Sequence, residues 1–250
     1  ISMDTKGTVT IMSHRSEMGQ GIKSSLPMLV ADEMECDWKR VIVKQAIADS
    51  KYGSQNTDGS RSVRRFYFRL KEAGATARTM LQIAAAKVWK VNPSAVTIYN
   101  HQAKLKDSSQ VLDFSELVEI AATLPIPDLS TLKIKTESEH RYVGNEDMKI
   151  IDAKDMVMGK AIYGFDVELD EMKYAVIARP PVLFGNVKSF DATETLKVPG
   201  VIKVIELPTL SPPAVFKMLG GIAVIANNTW AAIQGREKLV IDWEHGKNKQ

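Results

Sequence analysis

Two short polar loops hold the residue types in this sequence that are best suited to binding a ligand. The first, Gly19-Gln20-Gly21, follows a strand pattern and opens a helical pattern. Glycine permits positive φ and leaves backbone amides open to approach, and amides at the start of a helix favour phosphate or another oxyanion. The Gln20 carboxamide adds a donor and an acceptor that can pair with a heterocycle edge or an oxo group. The loop therefore suits a ligand that is both anionic and heterocyclic.

A second loop of the same design, Thr57-Asp58-Gly59-Ser60-Arg61-Ser62, also runs into a helical pattern. On a helix, Arg61, Arg65 and Arg69 share one face, which could bind phosphate or could be a solvated face with local ion pairs. The glycines of both loops are also compatible with tight turns alone, and Ser60 or Ser62 with a helix cap. Motif shape leaves these alternatives open. A shared site requires that the two loops meet in the fold.

Other chemistry finds little support in the sequence. Cys36 is the only cysteine and is predicted to be a small core residue, so this chain alone cannot bind an iron–sulfur cluster. The histidines are too scattered for a local metal site, no serine lies in a nucleophile elbow, and no acidic pair has obvious acid–base geometry. The 33 basic and 30 acidic residues are well mixed, which argues against nucleic-acid binding. No apolar run is long enough to span a membrane. We predict no catalytic residue and no metal ligand here.

The first loop lies inside a pattern of strand, loop, helix and strand. Alternation from Thr8 to Ser13 predicts a strand, apolar residues from Ile22 to Met34 recur at helical spacing, and β-branched residues between Arg40 and Ala48 predict another strand. Pro27 lies inside the helical pattern, so this helix is expected to start near the proline or to be kinked there.

The second loop leads into the longest periodic segment, Ser62 to Val91. Small residues, including Gly74, suit this helix to close packing against a sheet. Weak strands follow, and Asp113 with Glu116 predicts a capping box for a shorter helix. The pattern is that of a mixed helix-and-sheet unit.

The composition changes after a polar segment. Short elements are predicted at 161–169, 174–179, 201–207, 222–226 and 240–243 as strands, and at 230–238 as a helix with a cap at Asn228-Thr229. We therefore predict an α+β fold with a first domain over residues 1–135, a linker over 136–158 and a smaller α/β domain over 159–250.

Several motifs occur in an order that is typical of one enzyme family. They are Ser16-Glu17-Met18-Gly19-Gln20-Gly21, Leu26-Pro27-Met28-Leu29, Asp37-Trp38, Gly59-Ser60-Arg61-Ser62-Val63-Arg64, Gly159-Lys160-Ala161, Ala178-Arg179-Pro180-Pro181-Val182, Val198-Pro199-Gly200-Val201 and Thr229-Trp230-Ala231-Ala232. In this order they resemble the molybdenum-binding large subunit of the xanthine oxidase and aldehyde oxidase family, and most closely its isoquinoline 1-oxidoreductase branch. The order of the motifs makes the resemblance specific.

The resemblance implies a cofactor and a reaction. Residues 1–135 would belong to a molybdopterin-binding domain, and residues 159–250 would form the small hammerhead domain. The cofactor, molybdopterin cytosine dinucleotide with molybdenum, would be contacted by Gly19, Gln20, Gly21, Gly59, Ser60, Arg61 and Ser62. Family members hydroxylate an N-heterocycle or aldehyde at an electron-poor carbon with water as the oxygen source, and electrons leave through a small [2Fe-2S] subunit. Asp58 departs from the family pattern, which commonly has glycine there.

The chain is expected to be a fragment, because it starts at Ile1 and no residue matches the glutamate base of the family. It would then contribute cofactor contacts without turning over alone, and it could lack the cofactor. Any export signal would lie upstream, so a bacterial cytoplasmic or periplasmic location stays open. The alternatives are a non-catalytic binding or assembly module of the same fold, or an unrelated phosphate- or nucleotide-binding enzyme.

Overall fold

Helices and sheets alternate along the chain, which divides into two units, Ile1–Phe165 and Asp166–Gln250. The computed structural model describes residues 1–209 and 211–248. The predicted mixture of helices and sheets is confirmed. The division falls shortly after the predicted linker, and the assignment of the two sides to family domains stays a prediction.

A three-stranded sheet and two helices position both loops. In chain order these elements are β1 (Ser2–Met3), β2 (Val9–Ser13), α1 (Ile22–Glu33), β3 (Val41–Gln45) and α2 (Ser62–Trp89). β2 pairs antiparallel with β1 and parallel with β3. Residues 14–21 leave the carboxyl end of β2 and enter α1, and residues 46–61 leave the carboxyl end of β3 and enter α2. Because β2 and β3 are parallel, both loops start from the same edge of the sheet.

Apolar residues of β2, α1 and α2 form the main core of the first unit. Its buried members include Val9, Ile11, Val30, Ala31, Met34, Leu81, Ala84 and Ala85. α1 begins at Ile22, directly after the first loop, so Pro27 lies inside the helix and does not start it. Burial of both helices against one another fixes the positions of their first turns, where the two loops end.

A second sheet in this unit is antiparallel. It consists of β4 (Val96–Tyr99), β5 (Gln102–Leu105) and β6 (Val111–Asp113), and α3 (Phe114–Ala122) follows. β5 is not predicted from the sequence, because its residues are mostly polar. Asn100 and His101 both adopt positive φ and form the tight turn that joins β4 to β5. The predicted capping box is confirmed, since Asp113 accepts from the Ser115 amide and Glu116 accepts from the Asp113 amide.

Asp113 also forms a two-pronged ion pair with Arg40, at 2.6 and 3.0 Å. These hydrogen bonds hold the pKa of Asp113 well below its ordinary value of 3.8, with help from Ser115 and against partial burial. A depressed folded-state pKa gives stability that is present above the ordinary pKa and is lost as pH falls toward the lower folded value.

We expect Asp113→Asn to lower the free energy of unfolding at pH 7 by about 1–2 kcal/mol, because a partly exposed ion pair and a helix cap are weakened together. The variant should also lose less stability than the wild type between about pH 4 and pH 2. Urea unfolding across this range measures both effects. An acid limb as steep in the variant as in the wild type would contradict the assignment.

Part of the predicted linker 136–158 is folded against the end of α1. The Asp32 carboxylate accepts hydrogen bonds from the amides of Tyr142 and Val143, both at 2.9 Å. The Tyr142 hydroxyl donates to the carbonyl of Cys36 at 2.5 Å. Cys36 is buried in the core, as predicted, and burial raises the pKa of its thiol to about 12. A short helix, α4 (Ala153–Val157), follows.

The second unit contains two small antiparallel sheets and one helix. In chain order its elements are β7 (Tyr174–Ala178), β8 (Asn186–Asp191), β9 (Val201–Leu207), β10 (Gly221–Ala226), α5 (Thr229–Glu237) and β11 (Val240–Glu244). β10 lies between β7 and β9, while β8 pairs with β11. Asn228 caps α5 as predicted, accepting from the Ala231 amide at 2.8 Å.

Two strand predictions in this region need correction. The strand predicted over 161–169 is wrong: these residues form no strand, and Gly164–Asp166 is a single 3-10 turn. β8 is not predicted because its residues, Asn-Val-Lys-Ser-Phe-Asp, carry little apolar alternation. It forms because β11 offers a partner that is distant in sequence.

Candidate functional site

The two polar loops are in direct contact. The Thr57 hydroxyl donates to the carbonyl of Ser16 at 2.7 Å. The amide and the hydroxyl of Ser16 both donate to the carbonyl of Gln55, at 3.4 and 3.3 Å. The requirement for a shared site, that the loops meet, is therefore satisfied.

A cavity of about 400 Å³ lies between the loops and is called here the two-loop cavity. It is lined by Met18, Gln20, Ile22, Ser25, Thr57, Asp58, Gly59, Ser60, Ser62 and Val63. Four of the seven predicted binding residues are in this lining. The other three, Gly19, Gly21 and Arg61, are neighbours of lining residues in the chain.

The amides of the first loop already have an anionic partner. Glu17 Oε1 accepts from the amides of Gly19 and Gly21 at 2.7 and 3.0 Å, and its Oε2 accepts from the Lys23 amide at 2.8 Å. Gly19 and Gly21 adopt φ of +94° and +84°, which aims their amides at one carboxylate. An oxyanion at the start of α1 would have to compete with Glu17, a constraint that motif shape does not reveal.

Gln20 is also engaged within its own loop. Its Oε1 accepts from the Met18 amide at 2.6 Å, and its Nε2 donates to the carbonyl of Ser16 at 3.2 Å. Because a carboxamide has two lone pairs and two N–H groups, each end keeps capacity for another partner. Gln20 therefore stiffens the loop and can still bind a ligand in the two-loop cavity.

We expect Glu17→Gln to loosen the first loop, because a neutral amide accepts more weakly from helix-start amides than a carboxylate does. The loss of local stability should be about 1 kcal/mol, with faster hydrogen exchange at Gly19, Gly21 and Lys23. Amide exchange followed by NMR measures this. Glu146→Gln, at an exposed glutamate of the same unit, is the matched control. Equal exchange in the two variants would contradict the role of Glu17.

The start of α2, in contrast, is open. α2 begins at Ser62, and no side chain among the described residues caps it. The alternative that Ser60 or Ser62 acts as the cap is therefore wrong. Gly59 and Ser60 both adopt positive φ, and Ser60 is exposed. Uncapped amides and the helix dipole favour an anion at this point, so the second loop is the better suited of the two to hold phosphate.

Charges around the second loop have a positive excess. Asp58 pairs with Arg61, and its other oxygen lies 3.7 Å from Nη2 of Arg15. Burial lowers the pKa of Arg15 and Asp58 opposes this, while the nearby Arg65 and Arg61 lower it further. Three guanidinium groups thus surround one carboxylate, and an anionic ligand would reduce their mutual repulsion.

Arg15, which is 1% exposed, was missed by reasoning from the sequence. The signal was the alternation of β2: Val9, Ile11 and Ser13 are buried, and the same period of two continues to Arg15. An arginine at an inward position needs internal partners, and here these partners belong to the second loop.

A second cavity, also of about 400 Å³, borders the first loop. Its lining includes Glu17, Lys23, Asp152 and Tyr163. Lys23 pairs with one oxygen of Asp152 at 3.1 Å, and the other oxygen of Asp152 is buried without a hydrogen-bond partner among the described residues. The second loop does not contribute to the lining. The two-loop cavity is therefore the one that joins the predicted binding residues.

Comparison with known proteins identifies the family. Residues 1–178 match the family model of the molybdopterin cofactor-binding domain, and the chain belongs to this family. The resemblance to the xanthine oxidase family inferred from the motifs is confirmed.

Curated relatives are oxidoreductases. The chain is 30% identical over 250 residues to a membrane-bound aldehyde dehydrogenase (pyrroloquinoline-quinone) of Gluconacetobacter polyoxogenes, covering 98% of this chain and 32% of that protein. It is 27% identical over 288 residues to the beta subunit of isoquinoline 1-oxidoreductase of Brevundimonas diminuta, covering 100% and 35%. A nicotinate dehydrogenase subunit of Pseudomonas putida is 24% identical over 253 residues, with 98% and 20% covered. The chain spans about a third or less of the length of these relatives.

Solved structures match over a smaller part. A Cu,Mo-CO dehydrogenase in its carbon monoxide reduced state has a TM-score of 0.30 and 22% identity, over 39% of this chain and 15% of that one. Quinoline 2-oxidoreductase from Pseudomonas putida 86 has a TM-score of 0.30 and 15% identity, over 40% and 17%. Across residues 1–209 and 211–248, no helix has the length and hydropathy that a membrane span needs. The same residues contain no cluster of His, Cys, Asp or Glu suited to a metal ion.

Proposed function

We propose that the two-loop cavity binds part of a molybdopterin cofactor, and that the whole protein is a molybdenum hydroxylase. One observation carries this proposal: loops from the carboxyl ends of two parallel strands meet and line one cavity. Ligands of open α/β sheets commonly bind at this edge, where loops converge and helices begin.

The residues of the cavity fit such a cofactor chemically. The open start of α2 and the guanidinium of Arg61 suit a phosphate group, and the Ser60 hydroxyl can donate to one. The Gln20 carboxamide suits the edge of a heterocycle. We assign the cytosine dinucleotide form because it carries both kinds of group. When bound, the cofactor supplies the oxygen-transfer and redox chemistry, and this chain holds and orients it.

The finer assignments follow from the family. We propose that residues 1–135 are part of the molybdopterin-binding domain, that residues 136–158 are a linker, and that residues 159–250 form the hammerhead domain. The substrate would be an N-heterocycle or an aldehyde, and a small [2Fe-2S] subunit would accept the electrons. The names of the relatives support this, since two are subunits and the three names refer to an aldehyde, isoquinoline and nicotinate. No residue of this chain is assigned as the catalytic base.

One observation favours the alternative, a non-catalytic binding or assembly module. Glu17 already satisfies the amides at the start of α1, as expected if the first loop were a structural turn. In that case the loops would meet for packing reasons, and no pterin would be retained.

The test measures molybdenum and extractable pterin in the purified full-length protein. We expect both to be present in the wild type and strongly reduced in Gly59→Val, since a branched side chain would intrude on the cavity lining. Gly53→Val is the matched control: Gly53 also has positive φ but has open space around it and is outside the cavity lining. A folded, active protein without molybdenum or pterin would overturn the proposal.

A further inference from the structure

We infer that Arg15 is a positioning residue that joins the two loops and sets the shape of the two-loop cavity. The inference rests on the proposed function only in that this cavity is taken as the ligand site. Arg15 is the largest fully buried side chain of the chain's described part. Burying a guanidinium is costly unless its N–H groups find partners, so the contacts of Arg15 report what holds it in place.

Those contacts lie at both ends of the segment that forms the second loop. Arg15 Nε donates to the Ser62 hydroxyl at 3.0 Å. Its Nη1 donates to the carbonyl and the hydroxyl of Ser54, at 2.9 and 3.0 Å. Arg15 itself lies just after β2 and precedes the first loop. One planar side chain therefore fixes the first loop against the beginning and the end of residues 54–62.

The remaining nitrogen of Arg15 is directed at the cavity lining. Nη2 lies 3.7 Å from Asp58 Oδ1, a charge contact longer than a direct hydrogen bond. Asp58 and Ser62 both line the two-loop cavity. The Phe66 ring, 5.4 Å from the guanidinium carbon, packs against the other part of the group. Moving Arg15 would therefore move two lining residues together.

Lysine cannot replace this arrangement. An ammonium keeps the positive charge but is a single point, whereas the guanidinium presents donors in a rigid plane that reaches Ser54 and Ser62 at once. Arg15→Lys should thus preserve the charge near Asp58 and lose the bridge. Ser62→Ala removes one end of the same bridge without changing any charge.

Hydrogen exchange by mass spectrometry on the 250-residue chain tests the bridge without any cofactor. We expect Arg15→Lys and Ser62→Ala each to speed exchange in residues 57–63 by about tenfold, because each removes a hydrogen bond to a charged group. The double variant should exchange no faster than Arg15→Lys, since both changes cut the same bridge. Arg69→Lys, at an exposed arginine of α2, is the matched control and should leave exchange unchanged.

Binding of cytidine diphosphate, used as a probe of the cavity, separates positioning from a purely structural role. Positioning predicts about tenfold weaker binding in folded Arg15→Lys; a structural role would lower global stability and leave affinity unchanged, which would overturn the inference. Unchanged exchange in residues 57–63 in both single variants would overturn it as well. If Arg15→Lys does not fold, the exchange and affinity of Ser62→Ala decide. Faster exchange in the variants of a wild type that binds no probe and retains no pterin would leave Arg15 as the bridge and reject the proposed function.

Discussion

Replacing Gly74 with alanine is expected to destabilise the first unit by about 3 kcal/mol. A Cβ at this position would lie 2.6 Å from the carbonyl oxygen of Val30 and 2.7 Å from the Cβ of Glu33. Both atoms belong to the α1 backbone or its immediate branch, so no flexible side chain can move aside. In an exposed helix the same substitution would stabilise by up to about 1 kcal/mol, and the contact with α1 reverses the sign.

Urea unfolding of the variant and the wild type measures this effect. Gly164→Ala is the matched control in the same unit, because its added Cβ would meet nothing within 4 Å and its φ is not positive. We expect the control to stay within about 0.5 kcal/mol of the wild type. If Gly74→Ala were equally neutral, α1 and α2 would not be packed as closely as described.

Gly74 also shows what periodicity can and cannot predict. The small residues of α2 indicate close packing, and that prediction is correct in kind. The predicted partner is wrong: a sheet is expected from the sequence, whereas Gly74 faces α1. A helical stripe identifies which residues are buried, but the element that covers them depends on contacts between distant segments. The central strand–loop–helix–strand unit was predictable because its signals are local.

The candidate site divides in the same way. The two loops could be predicted from glycine spacing and the helical patterns that follow them. The engagement of Glu17 with the amides of Gly19 and Gly21 could not, because it depends on loop dihedrals that glycine leaves open. Arg15 was within reach of the alternation of β2, yet its partners, Ser54 and Ser62, are about forty residues away in sequence.

Acidic residues at the end of α1 were the largest omission. No acid–base pair was predicted there and none is found among the described residues; instead Asp32, Glu33 and Glu35 are buried and ion-paired. Lys135, about a hundred residues later, contacts both Asp32 and Glu35, at 2.9 and 2.5 Å. Such a cluster cannot be predicted from a single segment, since each charge is tolerated in the interior only because the others are present.

Glu33→Gln is expected to lower the free energy of unfolding by about 3–5 kcal/mol, the largest effect predicted for this chain. The Glu33 carboxylate pairs with Lys71 at 3.2 Å and with Arg78 at 3.4 Å, and it accepts from the Lys135 amide at 3.1 and 3.2 Å. An amide would leave the buried cations of α2 without their counter-charge and would turn an N–H group toward them. Lys51→Gln, which breaks an exposed pair with Asp49, should cost no more than about 0.5 kcal/mol.

The Glu33 and Gly74 predictions concern the same contact, so they should not be additive. The Cβ added at Gly74 would push directly on Glu33, and separating α1 from α2 would lengthen the Glu33–Lys71 pair. We expect the double variant to lose at least about 1 kcal/mol less than the sum of the single losses. Because α1 and α2 begin at the two loops, both variants should also speed hydrogen exchange in residues 17–22 and 57–62. Additive losses with unchanged loop exchange would show that the helix contact and the candidate site are independent.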